Sequence, residues 1–213
     1  LAKRRGARAI LEYREEGYLA DAVVNYMARL GWGYGDQEYF PRDELIEKFS
    51  IEKVQKASAT FDPKKMEWLD GEHIRQKSNE ELIELFDEYL REFKGLSLSE
   101  AEFPHLPDWK NYLMDSVKER SKTLNEMTDK CRFCVVSQLE LDEKASRKFL
   151  TEKITEPFND ILSFVDSKTE EPSEQEWMDF LSGLLEKHEL KMKELAQPIR
   201  VALTGGTVSP PID

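Results

Sequence analysis

The sequence predicts an all-α protein. Apolar residues recur at helical spacing along most of the chain, several segments open with strong helix-start signals, and nothing alternates with period two for long enough to make a strand. Leu19, Val23, Tyr26, Met27 and Leu30 form the first clear stripe, and Gly31 follows where a helix stops. Asp62-Pro63 pairs an N-cap with a proline at the first helical position, ahead of Met66, Leu69, His73 and Ile74 on one face. Ser78-Asn79-Glu80-Glu81 is a capping box before Leu82, Leu85, Phe86, Tyr89 and Leu90. Trp109, Leu113 and Val117 mark a further amphipathic helix. Ser173-Glu174-Gln175-Glu176 repeats the capping box before Trp177, Phe180, Leu181, Leu184 and Leu185.

Breakers divide this helical chain. Gly31 to Pro41 and Gly95 to Pro107 read as loops, a change of helical register near residue 131 suggests a boundary, and Pro157 and Pro172 punctuate the last part of the chain. The expected division is residues 1–76, 77–131 and 132–213. The 213 residues leave room for one large domain or two to three small ones. The chain opens on Leu-Ala-Lys-Arg-Arg without an apolar leader, and ends in a Gly/Pro-rich loop, so it reads as a piece of something longer.

Charge sharpens the picture. The net charge is −12 with 35% of residues charged, and the mean hydropathy is −0.64. No apolar run approaches the roughly 18 residues of a membrane span, so no membrane partner is expected. Two cysteines cannot staple a domain of this size, which favours a reducing, cytoplasmic setting. The acid is concentrated in residues 67–102 and 166–189. Basic groups sit elsewhere: Lys3, Arg4, Arg5 and Arg8; Lys118, Arg120, Lys122, Lys130 and Arg132; Lys191, Lys193 and Arg200. Such faces can hold a phosphate backbone on a protein that is acidic overall, although they are also what ordinary solvated helix surfaces look like.

Residues capable of catalysis do not assemble into a recognisable centre. There is no Walker A lysine, GxGxxG, HExxH or Ser-His-Asp signature. Cys131-Arg-Phe-Cys134 has metal-ligand spacing, but a structural zinc needs four ligands, and His73, His105 and His188 are scattered. Cysteines at i and i+3 share a helix face and read as core packing. His73, on an apolar stripe, reads as a satisfied, half-buried histidine rather than a ligand. No metal is expected.

A series of blocks resembles one family. Leu1-Ala-Lys-Arg-Arg-Gly-Ala looks like the end of the KMSKS-type loop of a class I aminoacyl-tRNA synthetase, with Ala2 where Ser is usual. Leu11-Glu-Tyr-Arg-Glu-Glu-Gly-Tyr-Leu19 and Asn25-Tyr-Met-Ala-Arg-Leu-Gly-Trp32 are similar to bacterial-type glutamyl-tRNA synthetases. Phe61-Asp-Pro-Lys-Lys-Met-Glu-Trp-Leu-Asp-Gly-Glu-His-Ile-Arg75 resembles their FDxxKLxWxNGxYIR block, with Asp70 in place of Asn. Lys118-Glu-Arg-Ser-Lys-Thr-Leu-Asn-Glu126 resembles an anticodon-domain helix, and Ala196-Gln-Pro-Ile-Arg-Val-Ala-Leu-Thr-Gly205 with Ser209-Pro-Pro resembles the C-terminal signatures. The blocks run in the family's order from one end of the chain to the other.

The resemblance implies a stem-contact helical domain followed by two small helical anticodon-binding domains, an α-helix cage. It implies a C-terminal portion without the Rossmann half, inactive alone. The parent would be a monomeric glutamate–tRNA ligase that uses ATP with Mg and L-glutamate, and whose partner is tRNA(Glu), with tRNA(Gln) left open. Lys3 aligns with the loop lysine that neutralises ATP phosphates as charge moves onto pyrophosphate. Arg120 aligns with the arginine that reads the third anticodon base, a task suited to a planar guanidinium facing a splayed base. Thr123 lies close by and would pin the backbone. Arg200, Ser209, Pro210 and Ile212 align with the site for the other anticodon bases. The rival reading is a non-catalytic helical module that docks a protein partner through its acidic faces.

Overall fold

The computed structural model describes residues 9–55, 60–99, 107–136, 138–170 and 172–207. These form eleven α-helices, and among the described residues no strand, only an isolated antiparallel bridge between Tyr34 and Gln37. The chain divides into two compact units, residues 1–136 and 137–213. The expected division at residues 76 and 77 falls between two consecutive helices inside the first unit.

The first unit contains α1 (Ile10–Glu15), α2 (Ala20–Arg29), α3 (Arg42–Lys48), α4 (Pro63–Gln76), α5 (Asn79–Tyr89), α6 (Trp109–Lys118) and α7 (Leu124–Cys131). The helix starts follow the local chemistry. Asp62 accepts hydrogen bonds from the backbone N–H groups of Lys64 and Lys65, with Pro63 at the first helical position, and Ser78 forms a capping box with Glu81. α5 continues into one π-helical turn, Leu90–Lys94, which Gly95 ends in the left-handed region at φ 63°.

Each stripe finds a partner. Val23 and Tyr26 of α2 pack with Met66 and Leu69 of α4. Ile74, Leu82, Phe86, Leu90, Met114, Val117 and Met127 make the largest core, in which Cys131 is fully buried and against which Cys134 packs. Each such large apolar side chain contributes on the order of 1.5–3 kcal/mol on burial. The loop after α2 is held by Arg29, whose guanidinium grips Glu38 through two hydrogen bonds of 2.9 Å. Arg29, with Lys65 behind it, holds the Glu38 carboxyl down at about 2.

Three buried polar side chains join α2 to α4. Asn25 Oδ1 accepts the backbone N–H of Phe40 at 2.8 Å and lies 3.1 Å from His73 Nε2, so that nitrogen must carry the proton. His73 is buried outright rather than half-buried (4% exposed), because the Asn25 oxygen satisfies its ring from within. Burial pushes His73 down to about 4 and keeps it neutral. Asp70, fully buried, accepts the N–H of Leu19 at 2.8 Å through Oδ1, while Oδ2 has no partner among the described residues. Burial, with the nearby Glu126 charge adding to it, pushes the Asp70 carboxyl well above the carboxylate range. A protonated Asp has the shape of the Asn usual in that sequence block.

The second unit contains α8 (Glu143–Phe149), α9 (Thr155–Asp166), α10 (Glu174–Lys187) and α11 (Met192–Thr204). Pro157 does not interrupt the chain. It lies in the first turn of α9, where a missing N–H costs no helical bond. Ser173 caps α10 as a capping box. α11 packs on α8, and its terminal Gly205, at φ 79°, accepts the N–H of Asp142 at 2.7 Å. A Cβ at Gly205 would meet the carbonyl oxygen of Glu140 at 2.4 Å, so the tie requires glycine.

Asp70 makes stability pH-dependent in a definite sense. Its folded-state value is raised, so the folded state holds a proton that the unfolded chain releases above its ordinary value of 3.8, and stability falls as pH rises through that window. Asp70→Asn is expected to stabilise the protein by on the order of 1–3 kcal/mol near neutral pH. The gain should shrink toward zero as the pH approaches 3.8. Urea unfolding of both proteins at the two pH values measures this difference.

Candidate nucleic-acid interface

The residues singled out between 118 and 126 do not form one helix: α6 ends at Lys118, α7 starts at Leu124, and the segment between them is a turn. Thr123 is the N-cap of α7: its Oγ1 accepts the N–H of Glu126 at 3.1 Å, and the Glu126 carboxylate reaches back to the N–H of Lys122 at 2.9 Å. The Ser121 hydroxyl donates to the Val117 carbonyl at 2.8 Å. The Lys130 ammonium, one helix away, donates to the Ser121 hydroxyl at 3.1 Å and to the Arg120 carbonyl.

The turn is also held from outside. The carbonyl of Gly17, between α1 and α2, accepts the N–H of Leu124 at 2.9 Å. Gly17 has φ 85°, and a Cβ there would lie 2.5 Å from the backbone nitrogen of Asn125. Beside it, Tyr89 of α5 donates to the Glu15 carbonyl at 2.9 Å. Gly71 of α4 faces the backbone of Lys122, whose Cα would stand 3.5 Å from a Cβ at position 71, an ordinary contact. Residues of three separate sequence blocks thus meet at one turn.

Arg120 stands out within it. Its backbone is tied by its own carbonyl and by an N–H to Val117 at 3.2 Å, whereas its side chain is exposed and has no hydrogen bond or ion pair among the described residues. The rest of the basic group is less available than a charge count implies. Lys118 donates to Asn79 at 2.8 Å and lies 3.4 Å from Asp115; Lys122 lies 3.6 Å from Glu67; Lys130 is committed to the turn. Arg132 is exposed. Thr123, Asn125 and Glu126 line an open cleft of about 610 Å³ together with Glu12, Glu15 and Glu16. Carboxylates there repel phosphate, so the field favours approach of an anion over Arg120 rather than over Thr123.

Arg200 lies in the second unit, half-buried near the C-terminal end of α11, where its carbonyl accepts the Thr204 hydroxyl at 2.8 Å. Lys3, Ala2, Ser209, Pro210, Ile212 and His105 lie outside the described residues. Cys131 and Cys134 face the core of the first unit, and burial pushes both thiols up, Cys134 to about 12. No group of three or more His, Cys, Asp or Glu among the described residues could hold a metal ion, and no helix among them is long and apolar enough to cross a membrane. Composition and periodicity did not single out Gly17, and placed Lys130 only within a basic group. A glycine directly after a short helical stretch was the available signal for the first.

Comparison with known proteins agrees with this architecture. A family model described as an anticodon binding domain matches residues 72–213, and one described as the catalytic domain of class I tRNA synthetases (E and Q) matches residues 1–68. Glutamate–tRNA ligases from Syntrophobacter fumaroxidans and Thermodesulfovibrio yellowstonii are each 40% identical over 99% and 100% of this chain. The chain spans 43% and 45% of their respective lengths, less than half of either. A crystal structure of a glutamate tRNA ligase from Elizabethkingia meningosepticum, in complex with its amino acid, superposes with a TM-score of 0.74 at 27% identity. The match covers 94% of this chain and 38% of that one. The class is that of helical anticodon-binding domains of aminoacyl-tRNA synthetases. Within it, the chain belongs to the glutamyl-tRNA synthetase family.

This geometry has two measurable consequences. Thr123→Ala removes the cap of α7 and is expected to cost about 1 kcal/mol of stability in chemical denaturation. Purified protein is expected to contain no stoichiometric zinc by elemental analysis, and a chelator should leave its helical circular dichroism unchanged.

Proposed function

We propose that this chain is the stem-contact and anticodon-binding portion of a glutamate–tRNA ligase, and that it recognises tRNA(Glu). The observation that carries the reading is Arg120: an exposed guanidinium without a protein partner among the described residues, on a turn whose backbone is fixed, within the segment matched as an anticodon binding domain. A planar group with several donors, aimed from a rigid turn, suits the edge of an unstacked base. Arg120 reads the third anticodon base, and Thr123 supports the turn by capping α7. Arg200, with Ser209, Pro210 and Ile212, holds the other anticodon bases on the second unit. Residues 1–76 contact the stem, 77–131 form the first anticodon part, and 132–213 the second.

The full enzyme would form glutamyl adenylate from ATP and L-glutamate and pass glutamate to the terminal ribose of the tRNA, acting as a cytoplasmic monomer. Lys3 would neutralise ATP phosphates there, and the chain by itself would be inactive. The rival reading, a module docking a protein through acidic faces, has no support in the family matches.

The test is binding of the chain to the anticodon stem-loop of tRNA(Glu) and to the same RNA with its third anticodon base replaced, at fixed salt. Arg120→Gln is expected to lose roughly 1–3 kcal/mol of discrimination at that base, the size of one base-edge contact. Affinity for the cognate RNA should fall steeply as salt rises. Unchanged discrimination in a normally helical Arg120→Gln protein would remove Arg120 from the site.

A further inference from the structure

Lys130 is a lysine spent on a backbone. It lies one position before the end of α7, its side chain is mostly covered, and its ammonium reaches the Arg120 carbonyl and the Ser121 hydroxyl, with Glu126 3.8 Å away. The Arg120 carbonyl belongs to the residue two beyond the end of α6, where helix-terminal carbonyls concentrate partial negative charge, so a cation there is held by charge as well as by hydrogen bonding. Ser121 extends the tie into α6 through Val117. On its other side, the turn is fixed by the Gly17 carbonyl and the Thr123 cap. Together these contacts hold the turn on both sides of Arg120, and none of them engages its side chain.

We propose that Lys130 is the positioning residue of the Arg120 turn: by holding the Arg120 carbonyl and Ser121, it fixes the direction in which the guanidinium leaves the turn, and so sets discrimination at the anticodon base without touching RNA. The proposal rests on the reading of Arg120 as the anticodon contact. A side chain with four rotatable bonds discriminates bases only if its root is fixed, because an unfixed root lets the same donors reach wrong edges at little cost. Lysine suits the clamp because its three donors serve two acceptors and a carboxylate from one point.

The experiment measures affinity of the 213-residue chain for the cognate anticodon stem-loop and for the third-base-substituted one, in wild type, Lys130→Met, Lys130→Arg, Ser121→Ala and Arg120→Gln, over a range of salt. Lys130→Met is expected to lower the ratio of the two affinities by about tenfold, the size of one lost charge-assisted hydrogen bond. The salt slope should stay unchanged, since no phosphate contact is lost. Lys130→Arg should recover most of the ratio, and Lys130→Met should add no further loss on top of Arg120→Gln.

Should Lys130→Met be too unstable to measure, Ser121→Ala tests the same tie and is expected to lower the ratio in the same direction. A uniform loss of affinity for both RNAs with a shallower salt slope would make Lys130 a phosphate contact and overturn the proposal. Lost discrimination in Arg120→Gln, with full discrimination in Lys130→Met or in Ser121→Ala, would overturn the proposal and leave the anticodon reading intact. No effect of Arg120→Gln itself would overturn the anticodon reading, and the proposal with it.

Discussion

At the centre of the first unit, the carbonyl of Gly17 meets the amide of Leu124 at 2.9 Å, with no side chain between the two backbones. The first N–H groups of a helix lack intrahelical partners, and here one of them is satisfied by a chain segment more than a hundred residues earlier. Any Cβ at position 17 would collide with Asn125, and the φ of 85° already excludes most side chains. Around this bond, Tyr89 grips Glu15, Asp70 grips Leu19, and Gly71 faces Lys122, so α4, α5 and α7 all converge on residues 15–19 or on the turn they hold. Gly17 lies in the segment matched by one family model and Leu124 in the segment matched by the other, so the two segments meet at one seam.

That seam explains how a protein of net charge −12 can present a cation usefully. Most of the described lysines and arginines are absorbed by neighbours: Arg29 by Glu38, Arg14 by Glu88 and Glu92, Lys118 by Asn79 and Asp115. Exposed pairs of this kind contribute little stability, but they do remove charge from the surface field. Near Arg120, Lys118, Lys122 and Lys130 are engaged by neighbouring groups, while Arg120 and Arg132 are exposed without a side-chain hydrogen bond or ion pair among the described residues. The carboxylates lining the cleft at Thr123 then give the local field a direction.

The buried polar groups show a different compromise. Asn25 and His73 satisfy each other and the Phe40 amide, which makes a closed network inside an otherwise apolar contact between α2 and α4. Asp70 is half satisfied: one oxygen anchors Leu19 and the other is buried without a partner among the described residues. Burial drives both titratable groups toward their neutral forms, the histidine down and the carboxyl up. Neutral pH suits the first and opposes the second.

Local chemistry was enough to determine several of the helices. The caps at Asp62, Ser78 and Ser173, the stripe through Met66, Leu69, His73 and Ile74, and the glycine stops at Gly31 and Gly95 act within a turn or two of chain, so they are readable from sequence. Ordered sequence blocks carried the family, and with it Arg120 as a candidate. Which lysines are spent, that the Arg120 side chain has no partner among the described residues, that His73 is closed off by Asn25, that Pro157 lies in the first turn of a helix rather than ending one, and that Gly17 supports the Arg120 turn were decided only by the tertiary structure. Each of these depends on a partner far away in sequence or on the exact register of a helix, and neither distance in space nor register is encoded in any local pattern of residue types.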